Sequence, residues 1–92
     1  MRIKVTFIGV LGRLIQEGNF EVVFSGEATC RDLMAEIWNR FGAAIPEPLW
    51  DFETKAFKEP IFALVNGNPI ESPELSLQDG DDVKFLTLVA GG

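Results

Sequence analysis

Leu77-Gln78-Asp79-Gly80-Asp81-Asp82-Val83-Lys84-Phe85-Leu86-Thr87-Leu88-Val89-Ala90-Gly91-Gly92 is the stretch whose reading decides the fold. Gln78 to Asp81 makes a turn, because Gly and Asp favour chain reversal and Asp side chains bond nearby backbone amides. Val83, Phe85, Leu86, Leu88 and Val89 then form a final strand, with no charged residue after Lys84. The strand runs into Ala90-Gly91-Gly92, so residues 89–92 are expected to be a flexible tail, anchored at its base and free at its tip. An end carboxylate on Gly92 is inert until an enzyme converts it to an acyl-adenylate, and then it is a reagent. Glycine suits that approach, since it has no Cβ to obstruct a narrow channel and it tolerates unusual backbone angles. Val89 to Gly92, extended at ~3.3 Å each, reach about 13 Å.

Working back from this strand, Ile61 to Val65 is a continuous apolar strand and Asn66-Gly67 a strong turn signal. Pro69-Ile70 allows only a short edge strand. At the other end, Ile3, Val5 and Phe7 alternate with Arg2, Lys4 and Thr6, and Phe20, Val22 and Phe24 alternate with Glu21 and Ser25. This is the period of half-buried strands, and the two are expected to pair antiparallel. Gly9, Gly12 and Gly18 make the connection between them a long loop.

Thr29-Cys30-Arg31-Asp32 has the form of a capping box, so a helix starts there. Leu33, Met34, Ile37, Trp38 and Phe41 recur at three- and four-residue steps as one apolar stripe, and Gly42 stands where a left-handed cap is expected. From residue 43 to residue 60 the pattern breaks into an irregular crossover, with Pro46, Pro48 and Pro60 interrupting Trp50, Phe52 and Phe57. Those aromatics either tuck under the sheet edge or mark a binding surface. The order of elements makes an α+β, β-grasp fold, a mixed sheet of about five strands with one main helix across it.

Ninety-two residues make a single domain, 1–92, with one modest core. No long apolar run or charged-then-apolar leader is present, so neither a membrane span nor a secretory signal is expected, and the expected location is cytoplasmic. Cys30 is the single cysteine, which excludes an internal disulfide and fits a reducing compartment. At the first turn of a helix its thiol has either a lowered pKa from the amide dipoles or, as the plainer reading, the role of a small semi-buried residue. A net charge of −6 argues against nucleic-acid and anionic-membrane binding and favours a partner with a basic docking face. There is no histidine, and Asp79, Asp81 and Asp82 lack the spacing of a calcium-binding loop, so no metal site and no self-contained enzyme are expected.

Val65-Asn66-Gly67, Leu77 to Val83, the helix start Ala28 to Leu33 and the end Val89-Ala90-Gly91-Gly92 resemble the MoaD/ThiS family of ubiquitin-like sulfur carriers over nearly the whole chain. The likeness is greatest to its MoaD branch, the small subunits of molybdopterin synthase. The resemblance implies a carrier that is not catalytic alone and binds no cofactor itself. A ubiquitin-activating-type adenylating enzyme would use MgATP on Gly92, and a sulfur donor enzyme would make the thiocarboxylate. The tail would then enter the synthase large subunit, or an analogous acceptor, for molybdenum or tungsten cofactor synthesis. Gly91 and Ala90 would give a slim approach, and Val89, Leu88 and Leu86 would guide the tail along an apolar groove.

The chain departs from the branch where two prolines usually precede Val-Ala-Gly-Gly, having Thr87 and Leu88 instead. Its 43–60 segment is also longer than usual, and Cys30 replaces a valine. A thiamin-pathway carrier, a protein modifier joined through Gly92 to target lysines, and an adaptor whose glycines do nothing stay open beside the molybdopterin reading.

Overall fold

Along β1 (Arg2–Phe7), Ile3, Val5 and Phe7 are buried while Arg2 and Lys4 are exposed, so the sequence alternation is that of a strand with one face in the core. The computed structural model describes residues 1–58 and 61–87. β1 pairs antiparallel with β2 (Asn19–Val23), in the register Ile3 opposite Val22 and Val5 opposite Phe20.

The connection between them is not the irregular loop its glycines suggest. It holds a short helix, α1 (Val10–Ile15), which buries Leu11 and Ile15. These residues are four apart and lie on one helical face. Gly12 lets α1 rest directly on β1, because a Cβ there would stand 2.7 Å from the carbonyl oxygen of Phe7.

The main helix, α2 (Cys30–Phe41), opens on the expected capping box. The Thr29 N–H donates to Asp32 Oδ2 at 2.9 Å, and the Asp32 N–H reaches back to Thr29 Oγ1 at 3.5 Å. Cys30, Leu33, Met34 and Ile37 form its buried face. Phe41 meets the core edge-on, 5.8 Å from Phe7 and 4.8 Å from Phe20 between ring centroids.

Gly42 differs from the expected left-handed cap. Its φ of −54° and ψ of −35° are right-handed, and it leads into a 3-10 turn, Gly42–Ala44. The requirement here is space. A Cβ on Gly42 would lie 3.0 Å from Trp38 Cδ2 and Cε2.

The segment that follows α2 is more ordered than an irregular crossover. A second 3-10 turn, Glu47–Leu49, delivers the chain to β3 (Trp50–Asp51), which pairs antiparallel with β4 (Ala56–Phe57) as a separate two-stranded hairpin. Trp50 is 2% exposed and stacks on Trp38 with centroids 4.7 Å apart. Phe57 packs beneath, 5.3 Å from Phe85. Two of the three loop aromatics therefore tuck in, while Phe52 stays exposed at the hairpin tip with its ring edge-on to Trp38.

β5 (Ile61–Val65) and β6 (Asn68–Pro69) are joined by Asn66-Gly67 at φ 51° and 85°. Two successive positive φ values define the hairpin turn that Asn-Gly favours. The last strand, β7 (Asp82–Thr87), inserts between earlier ones, and the sheet order is β2, β1, β7, β5, β6. It runs parallel to β1, with Val5 beside Val83, and antiparallel to β5, with Ala63 beside Phe85. A five-stranded mixed sheet grasping one main helix is the ubiquitin-like β-grasp architecture. No helix among the described residues is long and apolar enough to cross a membrane.

Candidate functional site at the end of the central strand

β7 is held on both sides, and Val83 and Phe85 are buried in the core. Its end is therefore fixed by the whole domain, and Thr87 is the last described residue. Of the expected site residues, Leu88, Val89, Ala90, Gly91 and Gly92 lie outside the described residues, and so does the expectation of a flexible 89–92 tail. Leu86 is described, half-buried and paired opposite Phe62 of β5.

Alternation along β5 and β7 puts Phe62 and Leu86 on the sheet face away from α2. Phe62 is 42% exposed. At the same end of β7, the Ile8 N–H donates to the Phe85 carbonyl at 2.9 Å, and Ile8 and Val10 are exposed. Between them, Gly9 has φ 72° and comes close to Thr87, since a Cβ there would be 3.9 Å from Thr87 Oγ1. Exposed apolar residues of β5 and of the segment leading into α1 thus lie near the end of β7, and of the residues named here only Leu86 was expected from sequence. Phe62 carried a signal: in an apolar run only alternate residues of a strand can face one core, so either Ile61 or Phe62 had to face outward.

The Asp79 and Asp81 carboxylates near the base of β7 are committed to the fold. Asp79 Oδ1 accepts from the Arg2 N–H at 2.7 Å. Asp81, 9% exposed, accepts from Asn66 Nδ2 at 2.9 Å and the Gln78 N–H at 2.8 Å. The Asp82 N–H in turn donates to Asn66 Oδ1 at 2.9 Å. These bonds stitch the turn before β7 to the Asn66-Gly67 turn, which is the turn role read from the sequence. No group of three potential metal ligands is found among the described residues.

Cys30 is 3% exposed beneath the N-terminus of α2. Burial first, and the Asp81 carboxylate second, push its thiol above the ordinary value of 9.0. The amide dipoles do not outweigh desolvation here, so the plainer reading of Cys30, as a small packed residue, fits the site. Asp51 is held below the usual carboxylate range by the backbone N–H groups of Glu53 and Thr54, the former at 2.8 Å, which fixes the β3–β4 turn.

The ThiS family model matches residues 5–92. In three dimensions the chain is similar to SAMP1 from Haloferax volcanii at a TM-score of 0.83 and 17% identity, each chain fully covered. It is similar to a Pyrococcus furiosus protein assigned as molybdopterin converting factor subunit 1 at a TM-score of 0.73 and 25% identity, over 97% of this chain and 99% of that one. It is also similar to one chain of a complex of subunits 1 and 2 of molybdopterin-converting factor from Helicobacter pylori, at a TM-score of 0.64 and 24% identity, with both chains fully covered. No curated protein sequence matches the chain.

Proposed function

We propose, from the premise that this chain belongs to the ThiS family, that it is a sulfur carrier whose Gly92 carboxylate is the reacting group and whose sulfur goes to molybdopterin synthesis. The observation that carries this reading is the position of β7. A strand buried between two others and ending at Thr87 gives the remaining five residues a rigid origin. From Thr87 those residues span at most about 16 Å at ~3.3 Å each, so an enzyme acting on Gly92 must come close to the domain.

Leu86, Phe62, Ile8 and Val10 supply an apolar collar at that origin. Burying it would orient the domain so that the tail points into an acceptor site, with Leu88, Val89 and Ala90 against an apolar channel wall and Gly91 at its narrowest part. The chain provides the electrophile precursor and no catalytic side chain. The activating partner would be a ubiquitin-activating-type enzyme that takes MgATP, transfers the adenylyl group to the Gly92 carboxylate and releases pyrophosphate. A sulfur donor enzyme would then displace AMP to leave the thiocarboxylate.

The likeness to a molybdopterin converting factor subunit 1 at 25% identity over nearly both chains supports the molybdenum or tungsten cofactor route over the thiamin route. The Helicobacter pylori protein is a complex with a subunit 2, and a large synthase subunit is accordingly the acceptor proposed here. Thr87 and Leu88, in place of two prolines, favour a looser approach to that acceptor and keep conjugation to lysines as the second reading.

Intact mass after incubation with an adenylating enzyme, MgATP and a sulfur donor tests the proposal. A gain of one sulfur-for-oxygen exchange is expected, lost on amidating Gly92 or adding one residue after it, and retained in Cys30→Ser. Sulfur loading that survives amidation and disappears in Cys30→Ser would place the sulfur on the thiol and overturn the reading. Branched Gly92–lysine peptides from cells without any thiocarboxylate would select the modifier instead.

A further inference from the structure

Strand pairing leaves an opening at one edge of the sheet. β5 has five residues, but β6 covers only Leu64 and Val65. By the pairing register, residues 61, 63 and 65 point their backbone groups toward this edge, while Phe62 and Leu64 bond to β7. The Ile61 N–H is used by the Lys58 carbonyl at 3.0 Å, and the Ala63 carbonyl by the Ile70 N–H at 3.1 Å. The Ile61 carbonyl and the Ala63 N–H have no hydrogen-bond partner among the described residues. They are one donor and one acceptor, spaced as the next rung of a ladder.

The opposite edge is treated differently. On β2 the outward Glu21 carbonyl accepts from Arg40 Nη1 at 3.3 Å, and the same guanidinium lies 5.8 Å above the Phe20 ring. A charged side chain laid along an edge is a common way to block strand addition. The β5 edge has no such guard among the described residues.

An apolar groove of about 700 Å³ follows the open edge. Its lining comes from both sides of the sheet: Cys30, Met34 and Ile70 on the α2 side, and Phe62, Leu64 and Leu86 on the other. A strand laid along β5 would send alternate side chains to these two lips, because successive side chains of a strand point to opposite faces.

We infer that the Ile61–Ala63 edge and its groove bind an extended apolar segment of a partner protein by strand addition, with a Lys or Arg of that segment beside Glu71. Charge selects this occupant. Glu71 is the only charged residue among the described residues of the groove lining, and it shares the adjoining concavity with Glu74. Lys58 lies at the Ile61 end of the edge, where its carbonyl accepts from the Ile61 N–H, and Glu71 follows Ile70, whose N–H bonds the Ala63 carbonyl nearer β6. A second copy brings a net charge of −6 toward an equal one and is disfavoured. The inference goes beyond the carrier reading and does not need it, since binding here requires neither Gly92 nor ATP.

The test uses the full chain labelled with nitrogen-15 and two acetylated, amidated peptides, RVLVTV and EVLVTV. With RVLVTV the Ala63 amide is expected to move downfield and gain protection from hydrogen exchange, while EVLVTV binds at least tenfold more weakly. Glu71→Lys, an exposed change that leaves the fold intact, is expected to reverse that preference. An unmoved Ala63 amide, equal binding of the two peptides, or equal binding of an RVLVTV analogue methylated on alternate backbone nitrogens would overturn the inference. A concentration-dependent Ala63 shift without peptide would make a second copy the occupant and overturn it as well.

Discussion

Replacing Gly42 by alanine sets two effects of opposite sign against each other, and the structure decides between them. At φ −54° and ψ −35° the backbone of Gly42 suits any residue. An alanine there restricts the unfolded chain, which by itself stabilises by about 0.4–1 kcal/mol. Against this, the new Cβ would lie 3.0 Å from two atoms of the Trp38 indole. Relief requires the ring to retreat by a few tenths of an ångström, and Trp38 has Trp50 stacked on it at 4.7 Å and Phe52 edge-on at 5.3 Å. Trp50 is itself buried, so the retreat is blocked from behind. Overpacking of this kind costs about 1–3 kcal/mol, leaving Gly42→Ala destabilised by up to about 2.6 kcal/mol. Urea unfolding followed by tryptophan fluorescence measures the difference. The cause is isolated by repeating the change in Trp38→Leu, where Gly42→Ala should become neutral or stabilising, a coupling of about 1 kcal/mol or more. A stabilised Gly42→Ala in the parent chain would show that the ring gives way freely and that the reasoning is wrong.

The Cys30 thiol carries a pH signature. Its folded pKa is raised above the unfolded one, so its contribution to stability is fully present below about pH 9 and is lost as pH rises through the folded value; the parent should lose more stability than Cys30→Ala between neutral pH and pH above 9 in parallel denaturant titrations. Thr29→Ala removes the oxygen that accepts from Asp32 and should cost about 1 kcal/mol, read as a lower melting temperature without loss of helix signal in the folded baseline.

What the sequence disclosed and what it hid divide along the range of the interactions involved. The start of α2 and its buried stripe were legible because their signals are local: Thr29 and Asp32 three residues apart, then apolar residues at helical spacing. Asn66-Gly67 was legible for the same reason. Gly12 and Gly42 mislead because glycine in a sequence signals backbone freedom, whereas both are required by contact with Phe7 and Trp38. The β3–β4 hairpin was hidden because its two-residue strands have no periodicity and are held by Trp38 and Phe85, which belong to other elements. Of the candidate site, Leu86 was identified from sequence, while Phe62, Ile8 and Val10 emerged only once β5 and α1 were seen to meet the end of β7.

The central position of β7 also governs how the domain is made. Without residues 82–87, the pair β1–β2 and the pair β5–β6 have no strand between them, and the sheet is two unjoined hairpins. The rung that unites them pairs Lys4 with Asp82, almost the full length of the chain apart. Such a contact pays its loop-closure entropy late, so assembly of the sheet is slow relative to formation of α2 or the Asn66-Gly67 hairpin. On a ribosome, the β1–β2 and β5–β6 pairs must wait unjoined until β7 has emerged. The segment that leads into Gly92 is therefore also the one whose arrival converts the chain from a set of local pieces into a folded domain.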